Sequence, residues 1–203
     1  MKTILSLKSS TNGVNSHTNK LVDAIVQKLC DKYQGSSVKD CDLTLSEIPH
    51  LNGYTIGAFY TPAEHRNEAL NTSLAASNKA IDDLMEADFI VIGVPMYNFG
   101  IPSVLKAWID QITRVGVTFY FDETGMPNGL VHDKKVFLAI SSGGIYSEGP
   151  MKQYDFTEPY LRSIFAYLGI TDITTVRAEG TAIPGLKELS LNKGLEAVSA
   201  LYI

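Results

Sequence analysis

The 203-residue sequence contains only two cysteines, Cys30 and Cys41, with no CxxC pair and no histidine cluster beside either. This scarcity excludes a disulfide framework and a cysteine-based zinc site. Cys30 and Cys41 are therefore expected to be reduced structural thiols. No metal site is predicted, because the four histidines also lack ligand spacing.

Long hydrophobic runs and clusters of basic residues are absent as well. The apolar N-terminal run stops at Lys8, which is too short for a signal peptide or a membrane span, so a cytoplasmic protein is expected. The net charge is -5 with scattered Lys and Arg, which disfavours nucleic-acid and membrane partners. No linker-like segment divides the chain, and residues 1–203 are predicted to form one domain.

Five short apolar runs rich in β-branched residues are predicted to be buried strands, and five helical patterns lie between and after them. The strands are residues 3–7, 38–43, 89–94, 136–140 and 173–176. The helices are residues 18–33, 68–85, 104–115, 159–168 and 186–201. Alternation of this kind predicts an α/β fold with a doubly wound parallel sheet. Two long connections interrupt it, 44–66 and 117–131, and the second has the pattern of a hairpin.

A polar loop, residues 8–19, joins the first strand to the first helix. Backbone N–H groups at a helix start bind anions, and this loop adds several hydroxyls, so it can hold a phosphate. It matches neither GxxxxGK[ST] nor GxGxxG, so neither ATP nor a Rossmann-bound dinucleotide is indicated. A simple helix cap at Ser16 or Thr18 explains the same residues equally well.

Two further loops follow strands that are expected to lie beside the first one. Residues 95–102 offer an apolar and aromatic wall with an amide, which suits a flat ring, although core or rim positions are the commoner fate of such runs. Residues 141–146 contain Gly143 and Gly144, which permit close backbone approach and positive φ angles, as a plain turn also requires. The first, third and fourth strand ends meet where ligands bind in sheets of flavodoxin order.

These residues resemble the bacterial FMN-dependent NADH:quinone oxidoreductases, also called azoreductases. The motifs that carry the resemblance are KSS at 8–10, SHTN at 16–19, PMYNF at 95–99, RVGVTF at 114–119, SSGGI at 141–145 and PYL…LGITD at 159–172. The resemblance runs nearly end to end. It implies a flavodoxin-like five-stranded sheet of order 2-1-3-4-5 and two-electron transfer from NADH or NADPH, by ping-pong hydride transfer, to quinones and azo compounds.

The resemblance also implies site residues. FMN is expected to contact Ser10, Ser16, His17, Thr18, Pro95, Met96, Tyr97, Asn98, Phe99, Ser141, Ser142, Gly143 and Gly144. Phe121 and Tyr146 are expected to contact the substrate, with Phe121 reaching across the interface of a homodimer. No protein side chain is expected to act as a catalytic acid, base or nucleophile, because the flavin performs the redox step.

Two positions depart from the family pattern: relatives often have Gln where His17 stands and Arg where Ser142 stands. Two other functions also fit the same fold. One is a flavodoxin-type electron carrier without substrate turnover, although such carriers are typically shorter and more acidic. The other is a flavin-free protein whose loops serve only protein interaction.

Overall fold

The computed structural model describes residues 1–203, and its centre is a five-stranded parallel sheet. The strands of this sheet are β1 (Thr3–Lys8), β2 (Ser37–Asp42), β3 (Phe89–Pro95), β6 (Lys135–Ser142) and β7 (Asp172–Glu179). Their order is β2-β1-β3-β6-β7, which confirms the predicted order 2-1-3-4-5 because the two intervening strands lie outside this sheet.

Helices cover both faces of the sheet, as predicted. They are α1 (His17–Lys32), α2 (Gly53–Tyr60), α3 (Glu68–Ser73), α4 (Ala75–Glu86), α5 (Ser103–Ile112), α6 (Glu158–Leu168) and α7 (Lys187–Ala200). Buried side chains of α1 and α7 pack on one face, and those of α4, α5 and α6 pack on the other. Successive residues of β3 alternate between these two cores, because neighbouring side chains in a strand point to opposite faces.

The predicted helix over residues 68–85 is two helices in the structure. The helix is interrupted at Leu74, which is both the C-cap of α3 and the N-cap of α4. Leu74 is fully buried in a small separate core with Ala58 and Phe59 of α2. The break therefore lets α3 pack on α2, a helix that was not predicted and lies within the long connection of residues 44–66.

The predicted hairpin excursion is confirmed. Strands β4 (Phe119–Phe121) and β5 (Pro127–Gly129) pair antiparallel, away from the main sheet. The Asp122 carboxylate closes the turn by accepting hydrogen bonds from the Thr124 hydroxyl at 2.7 Å and from the Met126 N–H at 3.0 Å. These donors, the Thr124 hydroxyl first, lower the pKa of Asp122 to about 2.

A threonine hydroxyl explains why α5 ends before its predicted boundary at 115. Thr118 is fully buried, and its Oγ1 donates to the Ile112 carbonyl at 2.6 Å while accepting from the Arg114 N–H at 2.9 Å. The side chain thus replaces the next helical backbone bonds and turns the chain into the hairpin.

None of the helices is long and apolar enough to cross a membrane. No group of three or more His, Cys, Asp or Glu side chains is arranged to hold a metal ion.

Candidate functional site

The carboxyl ends of β1, β3 and β6 lie side by side, and β1 is flanked by β2 and β3. Because the chain first adds β2 and then returns to place β3 on the other side of β1, the strand order reverses here. Crevices at such a reversal are where open α/β sheets bind ligands. The chain stays linked to β6 just past the end of β3, since the Met96 N–H donates to the Ser141 carbonyl at 2.8 Å.

The loop between β1 and α1 is held against β3 by hydrogen bonds. Ser9 is fully buried, and its hydroxyl donates to the Gly93 carbonyl at 2.6 Å. Gly93 itself allows close approach, because a Cβ there would lie only 3.0 Å from Cγ2 of Val22 in α1. The start of α1 is therefore fixed tightly beside the end of β3.

Ser16 is the N-cap of α1, as the helix-cap interpretation of this residue predicts. Its Oγ accepts the Asn19 N–H at 3.2 Å and lies 2.8 Å from the Thr18 hydroxyl. The N–H groups of the first helical turn at His17 and Thr18 remain without intrahelical acceptors, as at every helix start. A cap and an anion site can coexist here, since the cap engages only one of the free donors.

The loop after β3 makes a tight turn at Tyr97–Gly100 with strained backbone. Tyr97 and Gly100 exchange backbone hydrogen bonds of 3.0 Å in both directions, and Asn98 and Phe99 have φ angles of 50° and 68°. Positive φ at both central residues is the signature of a type I′ turn and costs about 1–3 kcal/mol at each non-glycine residue. Strain of this kind concentrates at binding sites.

Tyr97 connects this turn to the loop after β1. Its phenolic oxygen accepts the Thr11 N–H at 3.4 Å and lies 3.1 Å from the Thr11 hydroxyl. The two loops therefore form one continuous wall across the strand ends.

The loop after β6 is held by β7 and the residues that follow it. The Glu179 carboxylate accepts the backbone N–H groups of Tyr146 at 2.8 Å and Ser147 at 2.9 Å. Neither Gly143 nor Gly144 has a positive φ. Glycine is therefore suited to these positions by its lack of a side chain and not by its access to left-handed backbone conformations. A Cβ at Gly143 would lie 3.2 Å from the Ala182 side chain, and one at Gly144 would lie 3.1 Å from the Tyr146 ring.

Between these loops lies a cavity of about 420 Å³. Nine of the predicted cofactor residues line it: Ser10, Ser16, His17, Pro95, Met96, Tyr97, Ser141, Ser142 and Gly143. Four residues that were not predicted join them: Asn12, Asn15, Thr181 and Lys187. The loops predicted from three separate strand ends therefore share one cavity.

The other predicted cofactor residues lie outside the cavity lining. Thr18 is fully buried with its hydroxyl against Ser16, and Gly144 is covered by the Tyr146 ring. Asn98 and Phe99 are exposed on the turn, where the Phe99 ring lies 5.5 Å from that of Tyr154 and 6.1 Å from that of Tyr146. Phe99, Tyr146 and Tyr154 thus form an aromatic cluster after β3 and β6.

Phe121 does not reach this cavity within one chain. It lies on the β4–β5 hairpin, 5.5 Å from the buried ring of Phe119, and 52% of it is exposed. Any contribution of Phe121 to the cavity requires a second copy of the chain.

The cavity has an unusual charge for this acidic protein. Its lining contains no Asp or Glu, although the chain has 22 acidic residues, and it contains one lysine and one histidine. Burial lowers the pKa of His17 below its ordinary value, and the nearby charges of Lys20 and Lys187 lower it further. The cavity therefore offers hydroxyls, amides and positive charge, a combination that suits an anionic ligand.

The open parallel sheet of order β2-β1-β3-β6-β7, with a cavity at its switch point, is the architecture of the flavodoxin-like α/β proteins. Residues 2–201 match the family described as having the flavodoxin-like fold, and the chain belongs to this family.

Named relatives resemble the chain over nine-tenths or more of its length. The FMN-dependent NADH:quinone oxidoreductase of Beijerinckia indica is 40% identical over 203 residues, which are 100% of both proteins. The enzyme of the same name from Herminiimonas arsenicoxydans is 42% identical over 90% of this chain and 89% of its own. The crystal structure of azoreductase from Bacillus anthracis has a TM-score of 0.90 at 30% identity, covering 98% of this chain and 97% of that one.

Proposed function

We propose that the protein is an FMN-dependent oxidoreductase that transfers two electrons from NAD(P)H, with NADH preferred, to quinones and azo compounds. The observation that carries this proposal is the single cavity at the switch point, which joins an anion-binding end to an apolar wall. The names of the relatives from Beijerinckia and Herminiimonas support the choice of cofactor and acceptor.

The chemistry of the cavity fits the terminal phosphate of FMN. Ser10 and Ser16 offer hydroxyls, the start of α1 offers backbone N–H groups, and no carboxylate repels the phosphate. We assign the phosphate to this end of the cavity, where the loop that follows β1 meets the start of α1.

The opposite wall fits a flat ring. Pro95 and Met96 supply apolar surface, Tyr97 supplies an aromatic edge, and Ser141 to Gly143 bring polar backbone close to them. A cavity of about 420 Å³ lies within the usual range of roughly 300–1,000 Å³ for small-molecule sites. We assign the ring to this wall, with Asn98 and Gly144 as neighbours outside the lining.

The neighbouring aromatic cluster of Phe99, Tyr146 and Tyr154 is assigned to the substrate. Flat aromatic rings gain offset-stacked or edge-to-face contacts with such side chains, so quinones and aryl azo compounds suit it. FMN held by these residues would supply the two-electron redox chemistry between the nicotinamide and the acceptor, which we propose proceeds in two separate half-reactions. The chain's own residues bind and orient, and none is required to move a proton.

The test is an anaerobic absorbance titration of the FMN-reconstituted protein. One equivalent of NADH is expected to bleach the flavin band, and benzoquinone is expected to restore it fully. Protein that retains no flavin would refute the cofactor assignment. Bound flavin that NADH does not reduce would instead favour an electron carrier of the flavodoxin type.

We further propose a cytoplasmic homodimer whose subunits are each one domain spanning residues 1–203. The support for a second copy is the half-exposed Phe121, which does not line the cavity of its own chain, together with exposed Tyr120 and Met126 on the same hairpin. Sedimentation equilibrium is expected to give about twice the chain mass of 22.2 kDa. A mass of one chain at micromolar concentration would contradict the dimer. The free thiols Cys30 and Cys41 suit a reducing compartment.

A further inference from the structure

Lys187 lines the cavity together with residues of the loop that follows β1. It is the first residue of α7, and it is the only lysine or arginine among the lining residues. The loop that leads to it is anchored to the β6 loop, because the Thr181 and Ala182 N–H groups donate to the Ser142 and Gly143 carbonyls at 3.1 and 3.0 Å. The start of α7 is therefore fixed relative to the cavity.

The Lys187 ammonium makes no ion pair and no hydrogen bond within the chain. Lys8, at the end of β1, is by contrast paired with Asp23 and Asp40. The charge of Lys187 nevertheless reaches the phosphate end of the cavity. It lies close enough to His17, at the start of α1, to lower the pKa of that imidazole, together with burial and Lys20. An anion between the two helix starts would meet both side chains.

We propose that Lys187 is a specificity-determining residue that contacts the terminal phosphate of the flavin and makes this chain prefer FMN to riboflavin. This inference rests on the proposed function, because it takes the occupant of the cavity to be a flavin. The phosphate carries a charge of about -1.5 to -2 at neutral pH. Lys187 is the only permanently positive side chain in the lining that can pair with it. Ser10, Ser16 and the start of α1 bind the same group through neutral donors.

The size of the effect follows from exposure. Lys187 is exposed, so solvent and salt screen its contact with the phosphate, and its loss is expected to weaken FMN binding about fivefold, within the range of exposed charge pairs. Riboflavin lacks the phosphate, so its affinity is expected to stay unchanged.

The experiment measures the dissociation constants of FMN and riboflavin by flavin fluorescence for the wild-type protein, Lys187→Gln and Lys193→Gln. Lys193 is the matched control: it is an exposed lysine of α7, makes no ion pair, and does not line this cavity. Lys187→Gln alone is expected to lose about fivefold in FMN affinity and to show a weaker dependence of FMN binding on salt.

Each outcome separates this inference from the proposed function. If the wild-type protein binds FMN and Lys187→Gln binds it as well as Lys193→Gln does, the inference is wrong and the proposed function stands. Equal losses for FMN and riboflavin would also overturn it, since they would mark Lys187 as structural. A wild-type protein that binds neither flavin would overturn both.

Discussion

The variant Ser16→Asp is expected to fold normally and to lose FMN affinity by about a hundredfold or more. Aspartate is as good an N-cap as serine, and its charge is favourable at a helix start, so α1 keeps the Asn19 hydrogen bond that Ser16 now accepts. A carboxylate at this position faces the phosphate dianion assigned to the cavity. Like charges about 4 Å apart repel by about 4 kcal/mol at an effective dielectric constant of 20, which exceeds a hundredfold in affinity.

Ser16→Asn is the matched control, because asparagine also caps well and carries no charge. Its FMN dissociation constant, measured by fluorescence, is expected to stay within a few-fold of the wild-type value. Thermal unfolding of the ligand-free variants verifies that both caps hold. Equal FMN affinities for Ser16→Asp and Ser16→Asn would show that Ser16 only caps the helix and that the phosphate lies elsewhere.

Gly129→Ala is expected to destabilise the protein by about 3 kcal/mol or more, at the upper end of the cost of overpacking. A Cβ at this position would lie 2.1 Å from the Gly169 nitrogen and 2.4 Å from the Leu168 carbonyl oxygen. Both are backbone atoms at the end of α6, so no side chain can rotate away. For a chain of 203 residues this corresponds to a fall in Tm of roughly 6–12 °C.

Gly57→Ala serves as the control for that substitution. Gly57 lies inside α2, and a Cβ there meets no atom within 4 Å. Alanine has the higher helix propensity, so this variant is expected to melt at or slightly above the wild-type temperature. A Gly129→Ala protein that melts with the wild type would mean that the β4–β5 hairpin is not seated on α6 as described.

The central sheet was predictable because its inner strands are buried on both faces. Every residue of β3 is buried, so the strand appears in the sequence as an uninterrupted apolar run between turns. The break between α3 and α4 was not predictable, since Leu70, Leu74 and Ile81 keep helical spacing across it. Only the packing of Leu74 with Ala58 and Phe59 reveals it.

Helix α2 was missed for a different reason. Gly53 and Gly57 have low helix propensity, and the surrounding Pro and Asn residues are typical of loops. A local signal was nevertheless present, because Asn52 caps the helix by accepting the Thr55 N–H at 3.0 Å. An Asn followed three residues later by a small polar residue is a weak cap pattern on its own, and tertiary packing supplies the rest.

The parts of the candidate site that directly follow strand ends could be predicted from the sequence. The residues that enter the cavity from more distant parts of the chain could not. The loops after β1, β3 and β6 were found because the carboxyl ends of parallel strands meet at one edge. Thr181 and Lys187 follow β7, the edge strand, and nothing in their spacing shows that the chain folds back toward His17. Thr18 shows the converse, since it belongs to the predicted loop but is fully buried and does not line the cavity.

The turn at Asn98 and Phe99 has a consequence for any attempt to evolve this protein toward heat resistance. Glycine adopts positive φ without strain, so selection for thermal survival alone would favour Asn-Gly at these two positions. This change would remove the Phe99 ring, which lies against Tyr146 and Tyr154. The more thermostable variant would then bind flat aromatic molecules more weakly, so thermal stability and substrate affinity are expected to oppose each other at position 99.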